Sequence, residues 1–186
     1  MEIPQKIYFK LRPLILPISD IVSFIPEKAN ILDLGCGKGL LLRHLNYFKT
    51  YTGVDLNIPI NSNSINISFV KSDCNKYLNR NLSHFDTFLL IDLLHHINPS
   101  EQFPFVKKLL DGMKKDDILI IKDIHPKNIV TKFWNIFHDL IISKQFVNYF
   151  DFNNLEKNMP KNITVLKNCY KRIFLYDHYF LIIKRN

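Results

Sequence analysis

The chain has 186 residues, which suits one domain and is short for two. Hydrophobic residues make up 47% of it, and this fraction argues against a disordered chain. The net charge of +8 would suit nucleic acid or an anionic membrane surface as a partner. The basic residues are scattered along the chain in pairs, however, which favours a general bias in composition over a dedicated binding run.

In chain order, the sequence predicts an N-terminal helical cap over residues 1–25, interrupted by prolines and ending before Pro26. Short apolar runs predict strands at residues 31–34, 51–54, 67–70, 85–91, 118–121, 163–166 and 179–183. Helical patterns are found at residues 40–47, 101–113 and 131–149. Strands that alternate with helices predict an α/β fold, in which a mostly parallel sheet carries helices on both faces.

The cysteines bear on the compartment and on metal binding. Cys36, Cys74 and Cys169 lie far apart and follow no metal-ligand spacing, so we expect a reduced cytoplasmic location and no metal site. The N-terminus lacks the apolar run of a signal peptide. The apolar stretch at residues 88–91 is far too short to cross a membrane.

A glycine loop directly after the first predicted strand is the sharpest local signal. Gly35, Gly37 and Gly39 are three of only 5 glycines, and such residues let the backbone turn sharply and approach a ligand closely. The helix predicted at residues 40–47 would present free N–H groups beside this loop. Asp55 ends the second strand, where a carboxylate accepts hydrogen bonds from a ribose diol.

The loop differs from a dinucleotide-binding loop at two points. A GxGxxG/A loop has a small residue at its third conserved position, whereas that position, counted from Gly35, is Leu40 here. Asp33 also places a negative charge where a pyrophosphate would be unwelcome. An acid-flanked GxGxG loop suits instead a ligand with cationic groups, such as the sulfonium and ammonium of S-adenosylmethionine.

Several segments together resemble the ordered motifs of class I S-adenosylmethionine-dependent methyltransferases. They are Asp33-Leu-Gly-Cys-Gly-Lys-Gly39, Gly53-Val-Asp55, Lys71-Ser-Asp73-Cys74, Phe85-Asp-Thr-Phe-Leu-Leu-Ile-Asp92-Leu-Leu-His-His96 and Gly112-Met-Lys-Lys-Asp-Asp-Ile-Leu-Ile-Ile121. The resemblance implies a Rossmann-like fold with a seven-stranded, mostly parallel sheet and an antiparallel last strand. It also implies one domain over residues 1–186, with residues 124–150 as a helical cover inserted after the fifth strand.

The same resemblance implies S-adenosyl-L-methionine as the cofactor and assigns residues to its parts. Those expected around it are Asp33, Gly35 and Gly37 at the methionine end, Asp55 at the ribose, Leu56, Asp73 and Cys74 at the adenine, and Ile91 and Asp92 near the sulfonium. For Asp73 a plain turn cap is the alternative.

Candidate catalytic residues follow the fourth and fifth strands. Methyl transfer is an in-line displacement on an activated carbon, so the enzyme aligns the acceptor and, where needed, removes its proton. His95 or His96 suits that role, with packing as the alternative. Because the two histidines are adjacent, their side chains should diverge, which argues against a shared metal.

A narrower resemblance, to small bacterial methyltransferases that accompany lipid or polyene assembly genes, adds Lys122, His138 and Asp139. It rests on Leu11-Arg12-Pro13, Asp92-Leu-Leu-His-His96, Ile121-Lys122-Asp123, Asn135-Ile-Phe-His138-Asp139 and Tyr176-Asp-His178. We expect Lys122, Asp123 and His138 to face the cleft at the strand ends. The alternatives are an ion pair for Lys122 and a helix-surface pair for His138 and Asp139.

The acceptor is open at this point. The aromatic cover favours a small hydrophobic or acyl-type acceptor, lipid-like or carrier-bound, methylated at oxygen or nitrogen, although ordinary core packing also explains it. An RNA methyltransferase is the second reading, because Asp92 and Lys122 lie where ribose 2′-O enzymes keep an aspartate and a lysine. The third is a non-catalytic module that binds S-adenosylmethionine. The sequence does not indicate an oligomeric state.

Overall fold

The computed structural model describes residues 16–58, 64–142 and 148–186, without the side chains of Val130, residues 137–142 and Glu156. The predicted cap around Arg12 and the side chain of His138 therefore lie outside the described residues. Within those residues, none of the helices combines the length and the apolar character that a membrane span requires.

The described residues form seven strands in one sheet. They are β1 (Asn30–Leu34), β2 (Thr50–Asp55), β3 (Ile67–Lys71), β4 (Thr87–Ile91), β5 (Ile118–Ile124), β6 (Ile163–Ile173) and β7 (Tyr176–Arg185). Their order is β3-β2-β1-β4-β5-β7-β6. Strands β1 to β5 run parallel, and β7 pairs antiparallel with both β5 and β6. The predicted mostly parallel sheet with an antiparallel last strand is confirmed.

Two apolar cores lie on opposite faces of this sheet, because side chains of a strand alternate between its faces. The helices are α1 (Ile18–Val22), α2 (Cys74–Tyr77), α3 (Pro99–Gly112), α4 (Ile129–Ile142) and α5 (Phe152–Lys157). On one face Phe88 packs in a cluster with Leu109 of α3 and Leu155 of α5. On the other face Leu89 clusters with Ile21 of α1. Helices therefore cover both faces, as predicted.

Helix α3 anchors the loop that follows β4. Asn98 caps its N-terminus by accepting a hydrogen bond from the Ser100 backbone N–H, and Pro99 occupies the first turn. The buried Gln102 side chain donates to the carbonyls of Leu94, at 2.9 Å, and Asn148, at 2.7 Å. These bonds fix the loop between β4 and α3 against the residues that precede α5.

Three sequence expectations need correction. The helix predicted at residues 40–47 is only a 3₁₀ turn over Leu41–His44, because Leu45 is extended and Tyr47 has a φ of 61° before β2 begins. Helix α4 begins at Ile129, and residues 148–150 are not helical. Strands β6 and β7 are longer than predicted, since the edge strand β6 is mostly exposed and carries little apolar alternation.

Candidate functional site

The glycine loop lies between the ends of β1 and β2. Gly35, Gly37 and Gly39 have φ values of 77°, 55° and 69°, a region that L side chains rarely adopt. The Gly35 backbone N–H donates to the Val54 carbonyl of β2 at 2.8 Å. A Cβ on Gly35 would lie 2.8 Å from the Leu93 side chain in the loop after β4, so a larger residue at this position requires Leu93 to shift.

The Asp55 carboxylate fixes the other end of the loop. Its Oδ2 accepts a hydrogen bond from the Gly37 backbone N–H at 2.9 Å, and its Oδ1 accepts from the Asn57 N–H at 2.8 Å. Each carboxylate oxygen has two lone pairs, so both oxygens keep the capacity to accept a further bond.

Two cavities meet at Gly35. The first has a volume of about 330 Å³, and its lining includes the residues predicted at the ribose and adenine, Asp55, Leu56, Asp73 and Cys74, together with Gly35 and His96. The second has a volume of about 140 Å³, and its lining includes the predicted cofactor residues Asp33, Gly35 and Ile91, together with Cys36, Lys38 and Arg43. Seven of the nine predicted cofactor residues thus line one of the two cavities, and an eighth, Gly37, is hydrogen-bonded to Asp55.

Asp73 has a second role besides lining the first cavity. Its Oδ1 accepts a hydrogen bond from the Lys76 backbone N–H at 2.9 Å and caps the N-terminus of α2. The turn cap that we considered as an alternative for Asp73 is therefore present, in the same residue that faces the cavity.

The loop sits in a negative electrostatic environment. Asp33 is buried and accepts a hydrogen bond from the Tyr51 hydroxyl at 2.6 Å. Burial raises the pKa of the Cys36 thiol, and the carboxylates of Asp33 and Asp55 raise it further. Burial likewise raises the pKa of the Cys74 thiol to about 12. Both thiols therefore stay neutral near pH 7, and the negative field suits a cationic ligand.

A buried network lies at the ends of β4 and β5. The Lys122 ammonium, 1% exposed, forms an ion pair with the Asp92 carboxylate. Asp123 binds Nδ1 of His95 and also accepts from the His95 backbone N–H at 3.2 Å. Atoms of Asp92, His95 and Asp123 lie within 4.8 Å of one another. Because Lys122 pairs with Asp92 and His95 pairs with Asp123, we interpret the group as a hydrogen-bonded network.

The two adjacent histidines lie in different surroundings. His95 is buried and turned to Asp123, whereas His96 is exposed and lines the first cavity. The two side chains do not diverge as expected, since their imidazole centroids are only 4.0 Å apart. Lys122 forms the ion pair that was the alternative to a substrate role, and the site of His138 is known only as a position in α4. The sequence did not reveal the Tyr51 bond to Asp33, although a hydroxyl in a buried strand needs such a partner.

Comparison with protein families identifies the chain over most of its length. The family model described as a methyltransferase domain matches residues 7–161. No curated protein sequence matches the chain at a significant level.

Solved structures with the same fold are methyltransferases. A SAM-dependent methyltransferase from Anabaena variabilis aligns with a TM-score of 0.67 and 13% identity, covering 100% of this chain and 86% of that one. The 1,6-didemethyltoxoflavin-N1-methyltransferase of Burkholderia thailandensis has a TM-score of 0.69 and 16% identity, covering 97% and 81%. The magnesium protoporphyrin IX methyltransferase of Synechocystis PCC 6803 has a TM-score of 0.62 and 14% identity, covering 98% and 86%.

The fold and the acid-flanked glycine loop define a class I, S-adenosylmethionine-dependent methyltransferase. The chain belongs to the methyltransferase domain family. The predicted class, fold and cofactor are therefore confirmed. The roles of individual residues stay predictions.

Proposed function

We propose that the protein transfers the methyl group of S-adenosyl-L-methionine to an oxygen or nitrogen atom of a small-molecule acceptor. The observation that carries the proposal is the pair of cavities on either side of Gly35, each with a carboxylate placed for one part of this cofactor. S-adenosylmethionine consists of an adenosine and a charged methionine part, and two adjoining cavities would hold these two parts.

The first cavity would hold the adenosine. Asp55 would accept hydrogen bonds from the ribose hydroxyls while it keeps its bonds to the loop backbone. Leu56 would cover a face of the adenine, and the second oxygen of Asp73 would accept from the adenine amino group. The volume of about 330 Å³ suits a nucleoside.

The second cavity would hold the methionine part. Asp33 would compensate the ammonium, and Lys38 or Arg43 at the same cavity would compensate the carboxylate. The carboxylates that raise the pKa of Cys36 would stabilise the sulfonium as well. A dinucleotide, with its anionic pyrophosphate, would be disfavoured by the same field.

His95 is our candidate for proton removal. Bound S-adenosylmethionine would supply the activated methyl group, and His95 Nε2 would take up the proton that the acceptor atom loses. Asp123 supports this role because its bond to Nδ1 favours the tautomer in which Nδ1 carries the proton and Nε2 does not. Lys122 would neutralise Asp92, and His96 would contact the cofactor. His138 stays a candidate on the cover.

The names of the structural neighbours support a small-molecule acceptor. One is named as an N1-methyltransferase of a didemethyltoxoflavin, and another as a methyltransferase of magnesium protoporphyrin IX. A lipid-like or carrier-bound acceptor and a cytoplasmic location stay predictions.

Calorimetry and methyl labelling test the proposal in two steps. We expect S-adenosylmethionine and S-adenosylhomocysteine to bind the protein in the micromolar range, about −8 kcal/mol, and NAD not to bind. Incubation of the protein with methyl-labelled cofactor and a cell extract should move the label into the small-molecule fraction. The Asp55→Ala variant is the control. Label in RNA would overturn the acceptor class, and heat from NAD alone would overturn the cofactor.

A further inference from the structure

A set of exposed apolar side chains is found on two elements, α4 and the turn between β6 and β7. We call it the apolar patch; its members are Ile129, Phe133, Trp134, Phe174 and Leu175. Phe133 is 67% exposed and Phe174 is 74% exposed. The Trp134 and Tyr176 rings, 6.5 Å apart between centroids, join α4 to the residue next to the turn.

The apolar patch lies at the edge of the sheet that carries the cofactor site. Strand β7 is antiparallel to β5, and His178 near its start pairs with Ile124 at the end of β5. The β6–β7 turn therefore lies at the carboxyl ends of the parallel strands, where the glycine loop also lies. A surface that covered the patch would stand beside the open side of the site.

Basic side chains surround the apolar patch. Lys127 and Lys132 lie on the α4 side and Lys171 and Arg172 on the strand side, all of them exposed. Arg172 pairs with the buried Asp177, and Lys171 pairs with Asp20. In the part of the chain that the structure describes, no carboxylate pairs with Lys127 or Lys132. Positive charge is therefore in excess around the patch, as it is in the whole chain, at +8.

Phe174 lies in the turn between β6 and β7 with a strained backbone conformation. Its φ of 53° lies in the left-handed region, where a residue with a Cβ is strained relative to glycine. A phenylalanine ring that is exposed to water offsets none of this backbone strain. Burial of the ring in an apolar environment would offset it.

We infer that the apolar patch docks the protein on an anionic lipid bilayer. Phe174, Leu175 and Phe133 enter the boundary between headgroups and acyl chains, and Trp134 lies at headgroup level, the depth that amphipathic aromatic rings favour. Lys132, and Lys127, whose ammonium packs over the Tyr170 ring, bind lipid phosphates at the anionic surface. The inference concerns a surface outside the cofactor site and holds whether or not the proposed function is correct.

Vesicle flotation of the full chain, without cofactor, tests the inference. We expect the protein to partition at least about tenfold more strongly onto phosphatidylcholine vesicles that contain about 30% phosphatidylglycerol than onto pure phosphatidylcholine. Raising the salt from about 0.1 M to about 0.5 M should weaken this binding because the Debye length shrinks. Equal partitioning onto both kinds of vesicle would overturn the inference.

The chain offers a matched pair of variants. Phe174→Gly removes an exposed ring and relieves the positive φ, so it should keep or raise Tm while it weakens vesicle binding about tenfold. Tyr47→Gly is the control: Tyr47 is 78% exposed, has a φ of 61°, and precedes β2, which lies in the opposite half of the sheet from β6 and β7. It should leave vesicle binding unchanged.

A second substitution and one measurement separate the bilayer from other occupants. Phe133→Gln, on α4, should weaken vesicle binding as Phe174→Gly does. Equal weakening by Tyr47→Gly would show that general hydrophobicity, and not the patch, binds lipid. Sedimentation velocity that finds a wild-type dimer and a Phe174→Gly monomer would identify the patch as a contact between two copies and would overturn the inference.

Discussion

The backbone N–H of Gly37 donates a hydrogen bond to the Asp55 carboxylate at 2.9 Å, which joins the loop after β1 to the end of β2. The acid proposed to bind the ribose is therefore also the acid that shapes the loop beside it. A single substitution of Asp55 removes both interactions, so its effect on binding should exceed that of a surface carboxylate.

We expect Asp55→Ala to weaken S-adenosylmethionine binding by about 1.5–3 kcal/mol, the scale of hydrogen bonds to a charged group. The protein should stay folded because Asp55 lies at a strand end and outside both apolar cores. Calorimetry measures the change in Kd, with Asp111→Ala, on the exposed side of α3, as control. An unchanged Kd would show that Asp55 does not hold the ribose.

Gly35 and Gly37 should respond differently to alanine. Both have positive φ, so each substitution costs about 1–2 kcal/mol of strain. A Cβ on Gly35 would also lie 2.8 Å from Leu93, whereas a Cβ on Gly37 meets nothing within 4 Å. Urea unfolding should therefore give a larger loss for Gly35→Ala. Equal losses would mean that Leu93 moves aside freely.

The sequence predicted those features of the fold that depend on neighbouring residues. All five residues of β4 are buried, and their continuous apolar run marks a central parallel strand. The loop from Gly35 to Gly39 and the acid Asp55 could be recognised from their spacing. The helix predicted after the loop was wrong because Tyr47 turns the chain into β2 within a few residues.

The sequence allowed an ion pair for Lys122, but it did not identify the partners of these polar residues. Lys122 binds Asp92, and His95 binds the neighbour of Lys122, Asp123, although these partners are separated by 30 and 28 residues. Which of two adjacent residues points to which face depends on the register of β4 against β5. A shift of one residue would reverse the choice.

The ion pair between Lys122 and Asp92 gives a prediction about stability. Asp92→Asn keeps a residue that tolerates the φ of 53° but leaves the buried ammonium of Lys122 without its counter-charge. We expect a loss of about 3–5 kcal/mol in the free energy of unfolding. Asp111→Ala, which breaks the exposed pair with Lys107, should cost about 0.3–0.5 kcal/mol. The double variant Asp92→Asn/Lys122→Met should recover part of the loss in the free energy of unfolding. Similar losses for Asp92→Asn and Asp111→Ala would contradict the prediction.

Asp177 should contribute stability that depends on pH. Burial alone would raise its pKa, but hydrogen bonds from Arg172, the Lys127 backbone N–H and Thr131 lower it to about 2. A lowered folded-state pKa stabilises the fold above the unfolded value, near 4, and this contribution is lost as the pH falls from about 4 to about 2. Asp177→Asn should therefore cost about 2 kcal/mol at pH 7 and progressively less in acid. Urea unfolding of both proteins at several pH values checks this, and a constant difference would exclude the mechanism.

The last prediction separates the two adjacent histidines. His95→Gln should lower kcat by about 10²-fold, the scale of a lost general base, and leave the Kd of S-adenosylmethionine nearly unchanged. His96→Gln should do the reverse, because His96 lines the first cavity. Asp123→Asn should lower kcat too, since an amide no longer holds the imidazole in the required tautomer.

The pH profile of kcat distinguishes proton transfer from packing at His95. Only the neutral imidazole accepts a proton, so wild-type turnover should fall as the pH is lowered, and His95→Gln should lose that dependence. A purely structural role for this buried residue would lower Tm and kcat together and leave the shape of the profile unchanged. In that case His95 and Asp123 would be a buried hydrogen-bonded pair of the core, and the proton acceptor would have to lie on the helical cover.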